Sequence, residues 1–203
     1  ETTFPDPPNY EDGHARYWHP EWDEDWWREE WKPHRAQKRQ GYAAQTASLD
    51  WEVGRLLYAL NQLELADDTI FVFTSDHGEM FGSQGRIAKK IFYEEAVRVP
   101  FLLRWPGECP PHVNRSCLNT PDIAPTLLSL MGLPVPASME GTDLSAQAQG
   151  QPGGEAKEAA LLQGMGHTFQ WHDGDEWRAA RDDQYTYAEM LDGPTYLYDH
   201  AND

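Results

Sequence analysis

The spacing of hydrophobic and polar positions changes several times along this chain, and each change marks an element. Across residues 35–65 apolar side chains recur every three or four positions: Tyr42, Thr46, Leu49, Val53, Leu56, Leu57 and Leu60. That period predicts a long helix with one apolar face. It breaks between Leu60 and Asp67. Residues 69–74 then form a continuous apolar run rich in β-branched and aromatic side chains, which predicts a strand buried on both faces. A loop punctuated by Gly82 and Gly85 follows, then Lys89 and Lys90, a helical patch over 93–97, and a second strand over 99–105 that stops at Pro106 and Gly107.

Farther on, Asn119 and Pro121 open a predicted helix running through Ile123, Leu127, Leu128 and Met131 to Gly132. Residues 145–158 are small, polar and glycine-rich and read as a linker or surface loop. Beyond them the period shortens. Segments 160–162, 176–181, 185–188 and 196–199 read as short strands, with turns at Asp182 and Asp183 and at Asp192, Gly193 and Pro194. They predict a small antiparallel subdomain over 159–203. At the other end, residues 1–35 are irregular and proline-broken, but Trp18, Trp22, Trp26 and Trp31 fall near helical spacing, with Trp27 beside them. Such a stripe either stacks on a sugar ring or packs on the core, and the spacing favours packing.

The fold class implied is α/β. A partial, mostly parallel sheet flanked by helices fills residues 1–144, and the small antiparallel subdomain follows the linker. A chain of 203 residues supports one core of ordinary size. Its net charge of −18 argues against nucleic-acid partners. No apolar run approaches the ~20 residues that span a bilayer, so no transmembrane segment is expected. The chain opens on Glu1, and the lack of a leader is therefore uninformative. Cys109 and Cys117 share one proline-rich loop, where they either close a short disulfide or stay free thiols. Between them Asn114-Arg115-Ser116 fits a glycosylation pattern that often matches by chance. Localisation stays open, with a periplasmic or secreted setting favoured.

Candidate chemistry gathers where the first predicted strand stops. Asp76 and His77 lie at its carboxyl end, the position at which open α/β sheets bind ligands. A carboxylate beside an imidazole offers two donors to a divalent cation, fewer than a complete site needs. Lys89 supplies a compact positive charge, and Lys90 beside it is expected to be surface-exposed. Glu94 and Arg98 stand four apart, as in a helical ion pair. Asp122 is expected to cap its helix, and Asp50 to be structural. His14, His19, His34, His112, His167 and His172 fit no motif.

Asp76-His77-Gly78-Glu79, Lys89, Phe92-Tyr93-Glu94-Glu95, Arg98-Val99-Pro100 and Trp105-Pro106-Gly107 occur in the order and spacing of the sulfatase family, in the alkaline-phosphatase superfamily. The chain resembles the C-terminal portion of such an enzyme. Stretches resembling family motifs also occur at Pro7-Pro8-Asn9-Tyr10, around Leu49-Asp50, from Asp122 to Leu128, and at Tyr185-Thr186-Tyr187 and Leu197-Tyr198-Asp199. The resemblance implies that Asp76 and His77 hold one divalent metal ion, calcium in the usual case, with manganese or zinc compatible with the histidine. It implies that His77 and Lys89 are catalytic, with Lys89 binding the sulfate of a sulfated small molecule or glycan. It also implies a formylglycine nucleophile made from a cysteine, or sometimes a serine, in a Cys-x-Pro-x-Arg-type motif, and neither Cys109 nor Cys117 lies in one. The chain is thus expected to be a fragment, inactive alone, whose partner is the missing N-terminal half. The alternatives are a phosphonate monoester hydrolase or phosphodiesterase of the same superfamily, and, in another class, a non-catalytic carbohydrate-binding module.

Overall fold

The computed structural model describes residues 27–151, 156–164 and 176–202. These form two compact units, one up to Leu102 and one from Leu103 onward. In the first, a π-helical turn (Trp27–Trp31) and a 3-10 turn (Lys32–His34) lead into helix α1, Arg35–Gln62. Alanine, leucine, glutamine and arginine dominate α1, whose only interior β-branched residues are Thr46 and Val53. It ends in a Schellman motif. The Leu65 N–H donates to Leu60 O at 3.0 Å and the Glu64 N–H to Asn61 O at 3.2 Å, with Glu64 itself left-handed at φ 56°.

The apolar stripe foreseen on α1 is present but uncovered. Tyr42, Leu49 and Leu56 are each about half exposed, Val53, Leu57 and Leu60 are half-buried, and Trp51 and Tyr58 protrude elsewhere on the helix. Strand β1 (Phe71–Thr74) pairs with β2 (Phe101–Arg104) in a two-stranded sheet. Phe71, Val72 and Phe73 are only half-buried, contrary to the double-sided burial expected, because two strands cannot cover both faces. The buried side chains of this unit lie mainly in the segment between the strands, which carries the short helix α2 (Glu94–Val97): Met80, Ile87, Ile91, Phe92 and Ala96, with Trp31 and Ala66 from outside it. Trp31 is thus a core residue, as the packing reading required. Trp18, Trp22 and Trp26 lie outside the described residues, as do the side chain of Trp27 and His14, His19, His167 and His172.

The second unit contains α3 (Thr120–Leu130), α4 (Ser145–Ala148) and strands β3 (Ala160–Gly164), β4 (Trp177–Arg181), β5 (Tyr185–Met190) and β6 (Thr195–Asp199). The strands form an antiparallel sheet in sequential order, as the short alternating segments predict. Its inner face buries Trp177, Ala179, Thr186 and Ala188, and Ala179 lies directly opposite Ala188. Gly164 is required by its neighbour, since a Cβ there would lie 2.1 Å from Trp177 Nε1. Asp122 caps α3 by accepting the Asn119 N–H at 2.9 Å. The stretch that reads as a linker holds α4 and also Lys157, whose ammonium reaches Asp122 at 2.6 Å.

Candidate functional site

Asp76 and His77 follow β1 within three residues, in a turn tied together by Ser75, whose hydroxyl donates to His77 O at 2.9 Å. Asp76 Oδ1 accepts the His77 backbone N–H at 3.0 Å, leaving Oδ2 to face the ring. His77 Nδ1 lies 2.8 Å from Gly78 O. A carbonyl only accepts, so Nδ1 carries the proton, and in the neutral ring Nε2 keeps its lone pair. Nε2 stands 3.4 Å from Asp76 Oδ2. The two acceptors face each other at the solvent, with Asp76 82% and His77 39% exposed at the side chain. Desolvation opposes ionisation of Asp76, but the positive charge that the His77 ring carries when protonated, backbone N–H groups and the Ser75 hydroxyl outweigh it and hold the carboxyl below its ordinary value.

The pair is held in place from behind. The Gly78 N–H donates to Ala96 O at 2.8 Å, and a Cβ on Gly78 would fall 1.9 Å from Glu95 O. Glycine is therefore obligatory where the turn presses on α2.

Lys89 is half-buried at the far end of the loop that starts at Gly78. The loop folds back on its own beginning: the Met80 N–H donates to Ala88 O at 2.7 Å, and the Ala88 N–H donates to Glu79 Oε1. Lys89 thus directly follows a residue whose backbone is held against Glu79 and Met80, the two residues after Gly78. Lys90, expected on the surface, is half-buried instead; burial and the neighbouring charge of Lys89 pull its ammonium below the ordinary value. Glu94 and Arg98 do form an ion pair, at 3.7 Å. Asp50 is exposed on α1. Cys109 and Cys117 are free thiols, so the disulfide alternative is not realised.

Two supporting residues escape sequence reasoning. Glu79 was visible only as a member of a motif; nothing local shows that its carboxylate gathers the Phe81 and Ala88 N–H groups. Arg39, buried at 9% exposure, donates to Phe81 O at 2.7 Å across forty-two positions of sequence. A single arginine inside a helical pattern carries no signal for such a contact.

Among the described residues, no group of three or more histidine, cysteine or acidic side chains converges as a metal centre. The carboxylate oxygen and imidazole nitrogen of Asp76 and His77 are donors of the kind a divalent ion takes, two of the several such an ion needs.

Two family models match the chain: Sulfatase over residues 3–133, and N-sulphoglucosamine sulphohydrolase, C-terminal, over 82–203. An ulvan-active sulfatase of Formosa agariphila is 38% identical over 169 residues, which cover 81% of this chain and 33% of the relative. A structure solved in complex with its substrate D-glucosamine-2-N,6-O-disulfate superposes with TM-score 0.73 at 26% identity, covering 83% of this chain and 35% of the other. The phosphonate monoester hydrolase of Silicibacter pomeroyi superposes with TM-score 0.68 at 26% identity, covering 76% and 33%. The chain spans about a third of the length of the first of these relatives.

Proposed function

Because the chain belongs to the sulfatase family of the alkaline-phosphatase superfamily, we propose that the protein it forms part of hydrolyses sulfate esters, of carbohydrates or of aryl alcohols. The observation that carries this reading is the Asp76–His77 pair, Oδ2 to Nε2 at 3.4 Å, at the end of β1. A divalent ion bound there, calcium by the family resemblance and manganese or zinc as alternatives, supplies positive charge for the sulfate oxygens and the nucleophile. The residues of this chain have separate tasks. Asp76 presents a carboxylate oxygen. His77, turned by its bond to Gly78 O, presents Nε2. Lys89 meets a sulfate oxygen and steadies the charge that develops on the leaving group.

The nucleophile is formylglycine by the same resemblance. Neither Cys109 nor Cys117 lies in its motif, so it is contributed by a portion of the polypeptide N-terminal to Glu1, and this chain by itself is inactive. The uncovered stripe of α1 supports such a portion. A 28-residue helix showing Tyr42, Leu49 and Leu56 about half exposed has apolar surface that burial against the rest of the enzyme would stabilise.

The test is turnover of aryl and sugar sulfates by the longer protein, with and without a chelator, alongside calcium binding by calorimetry. Asp76→Ala is expected to abolish both. Turnover that is indifferent to chelation and to Asp76→Ala would overturn the reading. The likeness to a phosphonate monoester hydrolase supports a second reading, hydrolysis of phosphonate or phosphate esters. The ratio of sulfate to phosphonate turnover separates the two.

A further inference from the structure

The loop that presents Lys89 has an unfavourable backbone. Phe81, Gln84, Ala88 and Lys90 all adopt positive φ, at 46°, 54°, 62° and 74°, none of them glycine. Such conformations persist only where surrounding bonds over-determine them. Here one carboxylate supplies much of that constraint. Oε1 of Glu79 accepts both the Phe81 N–H, at 3.3 Å, and the Ala88 N–H. It bridges two left-handed residues seven positions apart. Ala88 is gripped on its other side as well, its carbonyl accepting the Met80 N–H at 2.7 Å. Phe81 is pinned from α1, with Arg39 Nη2 2.7 Å from its carbonyl and the Tyr42 ring edge-on at 4.8 Å between centroids. The residue after Ala88 is Lys89.

We propose that Glu79 is a positioning residue for sulfate-ester hydrolysis, its carboxylate fixing the backbone of Ala88 and thereby the place from which Lys89 meets the sulfate. This rests on the reading of Lys89 given above. Glu79 touches neither substrate nor metal in this role. It needs an acceptor oxygen at the right place more than it needs a charge, so glutamine can substitute and alanine cannot.

The experiment uses the full-length enzyme and compares Glu79→Ala, Glu79→Gln, Lys89→Ala and the Glu79→Ala/Lys89→Ala double variant. It measures kcat/KM for a sulfate ester, the inhibition constant for inorganic sulfate, and hydrogen exchange at the Ala88 amide. Glu79→Ala is expected to lower kcat/KM about 10- to 100-fold, as a misplaced catalytic group does, and to weaken sulfate inhibition. Glu79→Gln is expected to recover most of that loss. In the Lys89→Ala background, Glu79→Ala is expected to cost almost nothing further, because both act through one contact. The Ala88 amide is expected to exchange slowly in the wild type and Lys89→Ala, and fast in both proteins carrying Glu79→Ala. Independent, multiplying losses would overturn the proposal, as would an Ala88 amide still protected in Glu79→Ala. If Lys89→Ala leaves sulfate inhibition unchanged, the assignment of Lys89 fails and this proposal fails with it. The exchange pattern would then still show whether Glu79 clamps the loop.

Discussion

Lys157 Nζ lies 2.6 Å from Oδ2 of Asp122, thirty-five positions away, and only 1% of that aspartate side chain is exposed. The carboxylate is fully engaged, accepting also the Asn119 N–H at 2.9 Å and the Thr142 N–H at 2.8 Å. The same ammonium bonds Asn119 Oδ1 at 2.8 Å, so the N-terminus of α3 is stitched to the approach to β3. Asp122→Ala leaves a cation and two N–H groups without their acceptor. A buried pair broken this way costs about 3 kcal/mol, at the low end of the usual range because Lys157 still reaches water. Urea unfolding is the measurement, and Asp122→Asn, which keeps one acceptor oxygen, should lose less.

The two longer helices end in the same motif with different residues at the left-handed position. After α3 it is Gly132, φ 69°, with the Leu133 N–H on Leu128 O at 2.9 Å; after α1 it is Glu64, φ 56°. Glutamate there carries a Cβ penalty that glycine does not. Glu64→Gly is therefore expected to stabilise the protein by about 1 kcal/mol and Gly132→Ala to destabilise it by a similar amount, read from paired melting curves.

That pair also shows what sequence could and could not reveal. The end of α3 was legible because glycine advertises its conformation; the end of α1 was located only to a stretch, since Glu64 signals nothing. The four-stranded sheet was legible because alternation of Trp177 and Ala179, and of Thr186 and Ala188, with outward residues is a local property. Asp76, His77 and Lys89 were legible as a motif. The groups that hold them were not, because Glu79 reaches Ala88 and Arg39 reaches Phe81 through contacts set by tertiary folding. The half-exposed β1 and α1 differed from expectation for a similar reason: periodicity tells which face is apolar and is silent about what covers it.

His112 is expected to make one turn of this protein pH-sensitive. Its Nδ1 lies 2.7 Å from Pro110 O and its Nε2 2.7 Å from Gln147 O, and both carbonyls can only accept. Satisfying both requires the imidazolium. The Pro110 bond first, then the Gln147 bond, raise its pKa above the ordinary 6.5 against a smaller desolvation effect. The elements around it supply carbonyls and the backbone at Gly150; α4 has no charged residue, and Glu108 is the acid of its own loop. A raised folded-state pKa means that the stabilisation is complete below the unfolded value and is lost as pH rises through the folded one. The tie between the Pro110 turn and the end of α4 should therefore loosen as pH rises above 6.5 and through the raised folded-state value. Titration of the His112 ring by NMR should give a value above 6.5, and His112→Phe should remove the pH dependence of proteolysis in that turn.

Gly78 links packing to the turn that carries Asp76 and His77, the pair proposed to hold the divalent ion. Its N–H holds Ala96 O, its carbonyl orients the His77 ring, and its missing Cβ leaves room for Glu95 O. Gly78→Ala forces an atom to within 1.9 Å of that oxygen, so the turn must move away from α2 and carry the Gly78 carbonyl with it. Overpacking of this kind costs about 1–3 kcal/mol. The displaced ring should weaken divalent-ion binding by about 10- to 100-fold, as loss of an orienting partner does at metal sites. The control is Gly54→Ala, in the middle of α1, where a Cβ meets nothing within 4 Å. That change should raise stability by about 0.5–1 kcal/mol and leave ion binding unaltered. If Gly54→Ala instead destabilises the longer protein, the face of α1 that holds Gly54 is covered there by another part of the polypeptide.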